Sequence, residues 1–287
     1  IGRVNDKLVI NPTYKEVEEG GLDLVVCGLE DGISMVEGSA TELTEEIILE
    51  ALKLGQKVCG EISSLIQKLV KELKVTKKEF KSASVPEELK KEIDKFAAGK
   101  IDKARSIKVR KERINGMKAL RKECSEKFSE TYSEVIVNMA LDSLEQRKFR
   151  ENILKEERRA DGRKRDEIRP ITCEVGVLPR THGSAVFTRG ETQSLVTATL
   201  GTVEDEKKMD ELQGESSKTF MLHYNFPPFS VGEVKPMRGP SRRDIGHGNL
   251  AERALKPVMP GWDDFPYTVR LVSEILESNG SSSMATV

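Results

Sequence analysis

The stretch Ser184-Ala185-Val186-Phe187-Thr188-Arg189-Gly190-Glu191-Thr192-Gln193-Ser194-Leu195-Val196-Thr197-Ala198-Thr199-Leu200 reads as a β-hairpin. Runs rich in β-branched and aliphatic residues lie on both sides of residues 188–192, where Gly190 permits the turn. Downstream, Phe220-Met221-Leu222-His223-Tyr224 is a strand pattern that stops at Pro227-Pro228, and Tyr267-Thr268-Val269-Arg270-Leu271-Val272 is another that runs into Asn279-Gly280. Between them Leu250-Ala251-Glu252-Arg253-Ala254-Leu255 continues a helix that Pro257 stops. Residues 158–287 therefore predict a β-plus-α domain.

The preceding segment, residues 75–157, has no strand-like alternation. Leu89, Ile93 and Phe96, then Met117, Leu120 and Cys124, then Val135, Ile136, Met139, Leu144 and Phe149 recur at helical spacing and predict a small all-helical module. Its expected breaks are Ser82-Ala83-Ser84-Val85-Pro86, Ala98-Gly99 and Asn115-Gly116. Residues 1–74 read as short strands followed by a helix. Gly2-Arg3-Val4 and Leu8-Val9-Ile10 flank Asn5-Asp6; Leu24-Val25-Val26-Cys27 and Ile33-Ser34-Met35-Val36 flank a Glu30-Asp31-Gly32 turn. Thr41 or Thr44 caps the helix, with Glu45 and Glu46 in its first turn, and Ile48, Leu52, Val58, Ile62, Leu65, Ile66 and Leu69 form its apolar stripe.

A chain of 287 residues with 37% hydrophobic content can bury one or two cores, and its formal net charge of -1 gives no global attraction to polyanions. Affinity for nucleic acid has to come from local patches. A basic run within residues 100–122 is one such patch, but acids before and after it fit a solvated helix face equally well. Cys27, Cys59, Cys124 and Cys173 form no C-x-x-C pair, which argues against zinc or a disulfide framework and for small buried hydrophobes in a reducing compartment. No run approaches the roughly 20 apolar residues of a membrane span and no signal-peptide pattern opens the chain. A soluble, cytoplasmic protein without membrane partners is expected. The opening at Ile1 and the closing Met284-Ala285-Thr286-Val287 read as cuts through folded domains.

Two constellations carry chemistry. In the first, Gly239-Pro240-Ser241-Arg242-Arg243-Asp244-Ile245-Gly246-His247-Gly248, Ser241 caps a helix and sets Arg242 and Arg243 in its first turn, where the helix dipole disfavours cations. A bound anion reverses that cost, and guanidinium forks suit phosphate oxygens. Surface arginines paired with Asp244 or Glu252, with Gly246 and Gly248 packed on a sheet, explain the same residues. His247, four residues after Arg243, shares its helical face and either contacts phosphate or is structural. In the second, Glu277-Ser278-Asn279-Gly280-Ser281-Ser282-Ser283-Met284, a strand ends in a sharp turn whose hydroxyls and N–H groups can surround a phosphate; a Ser-rich cap or flexible loop is the alternative. Asp205, Asp210 and Glu211, and Asp263 with Asp264, read as loop surface and no metal site is assigned.

Six runs in order carry a family resemblance: Asp161-Gly162-Arg163; Leu178-Pro179-Arg180-Thr181-His182-Gly183-Ser184-Ala185; Phe187-Thr188-Arg189-Gly190-Glu191-Thr192-Gln193; His223-Tyr224-Asn225-Phe226-Pro227-Pro228; residues 242–248; and residues 277–284. They closely resemble the second catalytic core of the polynucleotide phosphorylase family. Residues 1–74 look like the tail of that family's first core and 75–157 like its helical linker. The resemblance implies an α+β fold: two ribonuclease PH-like (ribosomal protein S5 domain 2-like) β/α cores, both incomplete, joined by an all-α linker domain. It implies 3′-to-5′ phosphorolysis of single-stranded RNA, as in mRNA decay, with inorganic phosphate as co-substrate, nucleoside diphosphate released and polymerisation as the reverse reaction. It assigns phosphate binding to Ser281, Ser282 and Ser283, RNA or phosphate contact to Arg242 and Arg243, and a catalytic place beside them to His247. It implies Mg2+ held by aspartates beyond Val287, so that residues 1–287 alone are expected to be inactive. It also implies a homotrimer forming a six-core ring, and leaves open an RNA-degradation complex with other proteins. A catalytically inactive RNA-binding ring subunit of exosome type and a hydrolytic or tRNA-trimming ribonuclease PH relative are the alternatives; a helical module between two cores favours the phosphorylase.

Overall fold

Asn5 and Asp6 take up φ of 48° and 64°, a left-handed pair that Asn and Asp tolerate and that tight hairpins need. They join β1 (Gly2–Val4) to β2 (Lys7–Val9) in an antiparallel ladder. The computed structural model that shows this describes residues 1–80, 82–157, 159, 161–212 and 214–287, with Glu211 given by its backbone alone. The expected domain start at Arg158 and the side chain of Glu211 thus lie outside the described residues. The chain divides into two compact units, Ile1–Thr76 with Pro170–Val287, and Lys77–Arg169.

In the first unit, α1 (Tyr14–Gly20) is a short helix that the sequence pattern did not reveal; a reciprocal Thr13–Glu16 capping box starts it and Gly21, at φ 65°, ends it. β3 (Leu22–Gly28) and β4 (Ile33–Ala40) then pair as the expected hairpin. Thr44, rather than Thr41, is the N-cap of α2 (Glu45–Glu72). Leu22 and Leu24 of β3 close against Ala51, and a Cβ on Gly55 would lie 2.9 Å from Val26, so helix and strand meet at a glycine. Only the first half of the α2 stripe is covered. The helix runs about 42 Å for its 28 residues, the hairpin about 27 Å for the 8 residues of β4, and Ile62, Leu65, Ile66 and Leu69 face solvent.

The same unit holds a five-stranded sheet in the order β10-β11-β7-β6-β5. β5 (Ile171–Val175), β6 (Gly183–Arg189) and β7 (Gln193–Gly201) form an antiparallel meander whose last pair is the hairpin expected from residues 184–200. β8 (Lys207–Glu211) and β9 (Gly214–Lys218) make a separate hairpin. β10 (Phe220–Asn225) and β11 (Thr268–Glu277) run parallel, as they must if a helix crosses between them; that helix is α6 (Arg242–Leu255). Leu222, Tyr224, Ala251 and Ile275 form the core beneath it. A Cβ on Gly248 would sit 3.3 Å from that of Tyr224, so glycine lets α6 lie close on β10; around Gly246 there is open space. α7 (Ser282–Thr286) follows β11 and packs against β6 and β7.

The second unit is three helices, α3 (Glu87–Arg105), α4 (Arg110–Phe128) and α5 (Glu134–Glu156), around Leu89, Ile93, Ile101, Leu120, Val137 and Leu141. Two expected breaks are not breaks: α3 continues through Ala98-Gly99 and α4 through Asn115-Gly116. Local glycine propensity is outweighed there by burial of Ala97 and Ile101 on one face and Met117 and Leu120 on the other. The chain turns instead at residues 106–109 and 129–133. Much of the basic run is drawn into ion pairs and caps. Lys100 pairs with Glu123, Arg105 with Glu145, Arg121 with Asp142 at 2.6 Å and Glu145 at 3.0 Å, and Arg113 donates to the carbonyls of Ile107 and Lys108.

Cysteine burial is mixed. Cys124 lies in the helical core, where burial pushes its thiol up, whereas Cys27 and Cys173 are exposed on strand faces that carry no helix. The expectation of four buried thiols is corrected to one buried and one half-buried.

Gly99 sits mid-helix with nothing near the position of a Cβ. Gly99→Ala is expected to stabilise the helical unit by about 1 kcal/mol, and Leu141→Ala, in its core, to destabilise it by about 2–5 kcal/mol. Urea unfolding followed by circular dichroism reads both.

Candidate active site

Ser241 caps α6 through a reciprocal box: its Oγ accepts from the Asp244 N–H at 3.2 Å, while its own N–H and Oγ–H donate to Asp244 Oδ2 at 2.7 and 2.6 Å. The other carboxylate oxygen of Asp244 accepts from the Phe226 N–H at 3.0 Å, which ties the helix start to the end of β10. Glu252 is taken up by Lys218 at 3.0 Å and by the Leu222 N–H at 3.2 Å. Neither carboxylate pairs with Arg242 or Arg243, so the reading of these arginines as partners of Asp244 or Glu252 is set aside. Both are exposed in the first turn, and the Arg243 guanidinium lies 4.5 Å over the Phe226 ring. An arginine stacked on an aromatic face keeps its donor edge available. Beside it opens a cleft of about 810 Å³ whose lining includes Phe226, Lys235, Met237, Arg238 and Arg243.

His247 faces inward from the next turn. Its ring lies 5.3 Å from that of Tyr224, and its Nδ1 is buried without a hydrogen-bond partner. Burial, and then the positive charge of Arg243, hold it below the ordinary histidine value of 6.5, so it is mainly neutral at neutral pH and keeps one donor and one acceptor nitrogen.

The serine run lies on the other side of Tyr224. Gly280 at φ 89° and Ser281 at φ 53° make the sharp turn. Ser281 is exposed, whereas Ser282 and Ser283 are buried at 2% and 5% exposure. Ser282 Oγ lies 2.7 Å from Tyr224 Oη, so a single tyrosine touches both the His247 face of α6 and the serine turn. Under α7, Ser194, Ser273 and Thr286 form a chain of hydroxyls at 2.9 and 2.8 Å, and Thr286 donates to the Ser282 carbonyl at 3.2 Å.

The two constellations read from sequence are therefore neighbours. Tyr224, Phe226 and the β6–β7 turn are the parts no role was assigned to, although all lie in quoted runs. The signal for Tyr224 was the alternation along β10, which turns Leu222 and Tyr224 to the helix. The other histidines are elsewhere: His223 is exposed, and His182 Nδ1 accepts from the Leu200 N–H at 2.8 Å. Asp205 accepts from the N–H of the N-cap Thr202 at 2.7 Å, Asp210 lies on strand β8 rather than in the expected loop, and Asp263 and Asp264 lie on an exposed loop. Among the described residues no three His, Cys, Asp or Glu side chains gather as a metal site.

Family models match three segments: 3' exoribonuclease family, domain 2, over residues 1–58; polyribonucleotide nucleotidyltransferase, RNA binding domain, over 88–164; and 3' exoribonuclease family, domain 1, over 167–287. The polyribonucleotide nucleotidyltransferase of Thermodesulfovibrio yellowstonii is 51% identical over 300 residues, taking in 100% of this chain and 42% of that protein. That of Gemmatimonas aurantiaca is 46% identical over 291 residues, with 100% and 40% covered. The chain thus spans about two fifths of the length of these curated relatives. Among solved structures, rice (Oryza sativa) Rrp46 is similar at 22% identity and a TM-score of 0.30, over 45% of this chain and 56% of that one.

Tyr224→Phe removes one of two buried hydroxyls and is expected to cost about 1–3 kcal/mol, seen as a lower midpoint in thermal denaturation. Acid is expected to destabilise through His247. The unfolded chain, with an ordinary histidine at 6.5, takes up its proton before the folded one does, so stability falls as pH drops through that value. His223, also depressed by burial first, acts with the same sign. His247→Asn should flatten part of the fall in urea midpoint between about pH 7.5 and about pH 5.

Proposed function

We propose that this chain, which belongs to the polyribonucleotide nucleotidyltransferase family, forms part of an enzyme that degrades single-stranded RNA from the 3′ end by phosphorolysis, with polymerisation as the reverse. An oxygen of inorganic phosphate attacks the phosphorus of the terminal phosphodiester. The bond to O3′ of the preceding nucleotide breaks, that oxygen takes a proton, and a nucleoside diphosphate leaves. Such a reaction places phosphate groups at both the attacking and the attacked position, and its transition state is stabilised chiefly by placement and fixed donors.

In this proposal Ser281, Ser282 and Ser283 hold the attacking phosphate. Arg242 and Arg243 contact RNA and the phosphate under attack, and neutral His247 donates or accepts a proton beside them. The observation that carries the reading is Tyr224, which joins His247 at 5.3 Å to Ser282 at 2.7 Å next to the Arg243 cleft. Magnesium enters this proposal as a cofactor that would stabilise the charge developing on the phosphates. The domain division proposed is 1–74, 75–157 and 158–287, the tail of one ribonuclease PH-like core, a helical linker and the start of a second core. A cytoplasmic homotrimeric ring, able to join other RNA-degrading proteins, completes the proposal. No helix among the described residues is long and apolar enough to cross a membrane.

The test supplies the intact protein with a 3′-hydroxyl oligoadenylate and magnesium, with and without inorganic phosphate. ADP released only when phosphate is present is the expected result; AMP would mean hydrolysis, and uncut RNA would mean a binding scaffold. Arg243→Ala and Ser282→Ala are each expected to lower kcat/KM by about 10²–10³, the usual loss when a fixed donor to a developing charge is removed.

A further inference from the structure

The β6–β7 turn lies against the serine loop and has been given no part in the reaction. Its contacts are specific. Arg189 Nη2 donates to the carbonyls of Ser281 at 3.1 Å and Gly280 at 3.4 Å. Thr192, fully buried, accepts from the Asn279 N–H at 3.0 Å and donates to the same Gly280 carbonyl at 3.3 Å. Asn279 Nδ2 donates to Glu191 at 3.0 Å. Five hydrogen bonds from one turn thus grip three consecutive residues, two of which hold left-handed backbone, Gly280 at 89° and Ser281 at 53°. For Ser281 that conformation is disfavoured by its Cβ and has to be held from outside.

A loop that seats an anion must keep its carbonyl oxygens engaged, because each carries partial negative charge and repels phosphate. Arg189 and Thr192 bind the carbonyl before the serine run, and Arg189 also binds the first carbonyl within it. Part of the Arg189 guanidinium is also desolvated, its Nε being buried without a partner, which strengthens its positive field at the loop. We infer that Arg189 and Thr192 are positioning residues for the phosphate loop: they engage the Gly280 and Ser281 carbonyls, hold Ser281 in its left-handed conformation, and leave the N–H groups of residues 281–283 and the Ser281 and Ser283 hydroxyls to the phosphate, with the Ser282 hydroxyl shared with Tyr224. The inference rests on the phosphorolytic reading of those serines.

The test compares wild type with Arg189→Gln, Arg189→Lys and Thr192→Val in the intact protein, varying inorganic phosphate and oligoadenylate separately. Arg189→Gln and Thr192→Val should raise KM for phosphate about tenfold, equivalent to one lost interaction of ordinary strength, with kcat and KM for RNA changed less than about twofold. Arg189→Lys, which keeps the charge and can donate to both carbonyls, should recover most of the loss. A KM for phosphate that stays within twofold in both variants overturns the inference, as does a fall in kcat with both KM values unchanged together with a lower thermal midpoint, the pattern of a smaller folded fraction. A second readout needs no turnover. Millimolar inorganic phosphate should raise the thermal midpoint of wild type and of Arg189→Lys, and do so far less for Arg189→Gln; equal shifts would overturn the inference. A wild type that gains midpoint with phosphate but releases no ADP would sink the phosphorolytic reading while leaving the loop assignment standing.

Discussion

Two hydroxyls meet 2.7 Å apart inside the larger unit, one from Tyr224 and one from Ser282. Each alone would carry the full penalty of a buried polar group without a partner, so the pair fixes the distance between the elements that bear them. Tyr224 is immobilised by α6, which lies so close that a Cβ at residue 248 would sit 3.3 Å from that of Tyr224. Ser282 is immobilised by the hydroxyl chain through Thr286 and Ser273 to Ser194. The arginines at the start of α6 and the serines at the start of α7 are therefore held relative to each other by the interior of the protein. Preorganisation of this kind is what a reaction dominated by placement requires.

Local chemistry was the most legible part of the sequence. Ser241 and Asp244 form their box within one helical turn, the β6–β7 hairpin is written in consecutive residues, and both appear as read. The missed and misread features depend on what lies far away in the chain. Gly99 and Gly116 look like breaks until Ile101 and Leu120 are seen to be buried by neighbouring helices. α1 has no buried residue and so no apolar period to betray it. Tyr224 and Ser282 stand 58 residues apart, and Thr192 and Gly280 stand 88 apart; no spacing rule pairs them. The candidate residues could be named from residue type and helix position, while their adjacency came only from the sheet order that sets β10 and β7 on either side of β11.

The helical unit shows the opposite balance between charge and core. Its interior is a largely aliphatic cluster that includes Cys124 and Phe128, whereas its surface links helices through Arg105, Arg121, Arg147 and Lys148 to carboxylates on other helices. Such exposed pairs add little stability individually. They do fix which lysines and arginines of the basic run have their charge answered within the protein, and the net attraction of this surface for a polyanion is reduced accordingly.

α2 leaves a row of Ile62, Leu65, Ile66 and Leu69 open to water along its second half. Apolar surface of this kind attracts other apolar surface more strongly as temperature rises from the cold, and salts excluded from protein surfaces, such as sulfate, strengthen the attraction further. The solution behaviour of this chain is therefore set in part by the open stripe of α2. Cold, low-sulfate buffers keep that stripe hydrated; warmth and sulfate drive it toward any apolar surface within reach, including its own copy.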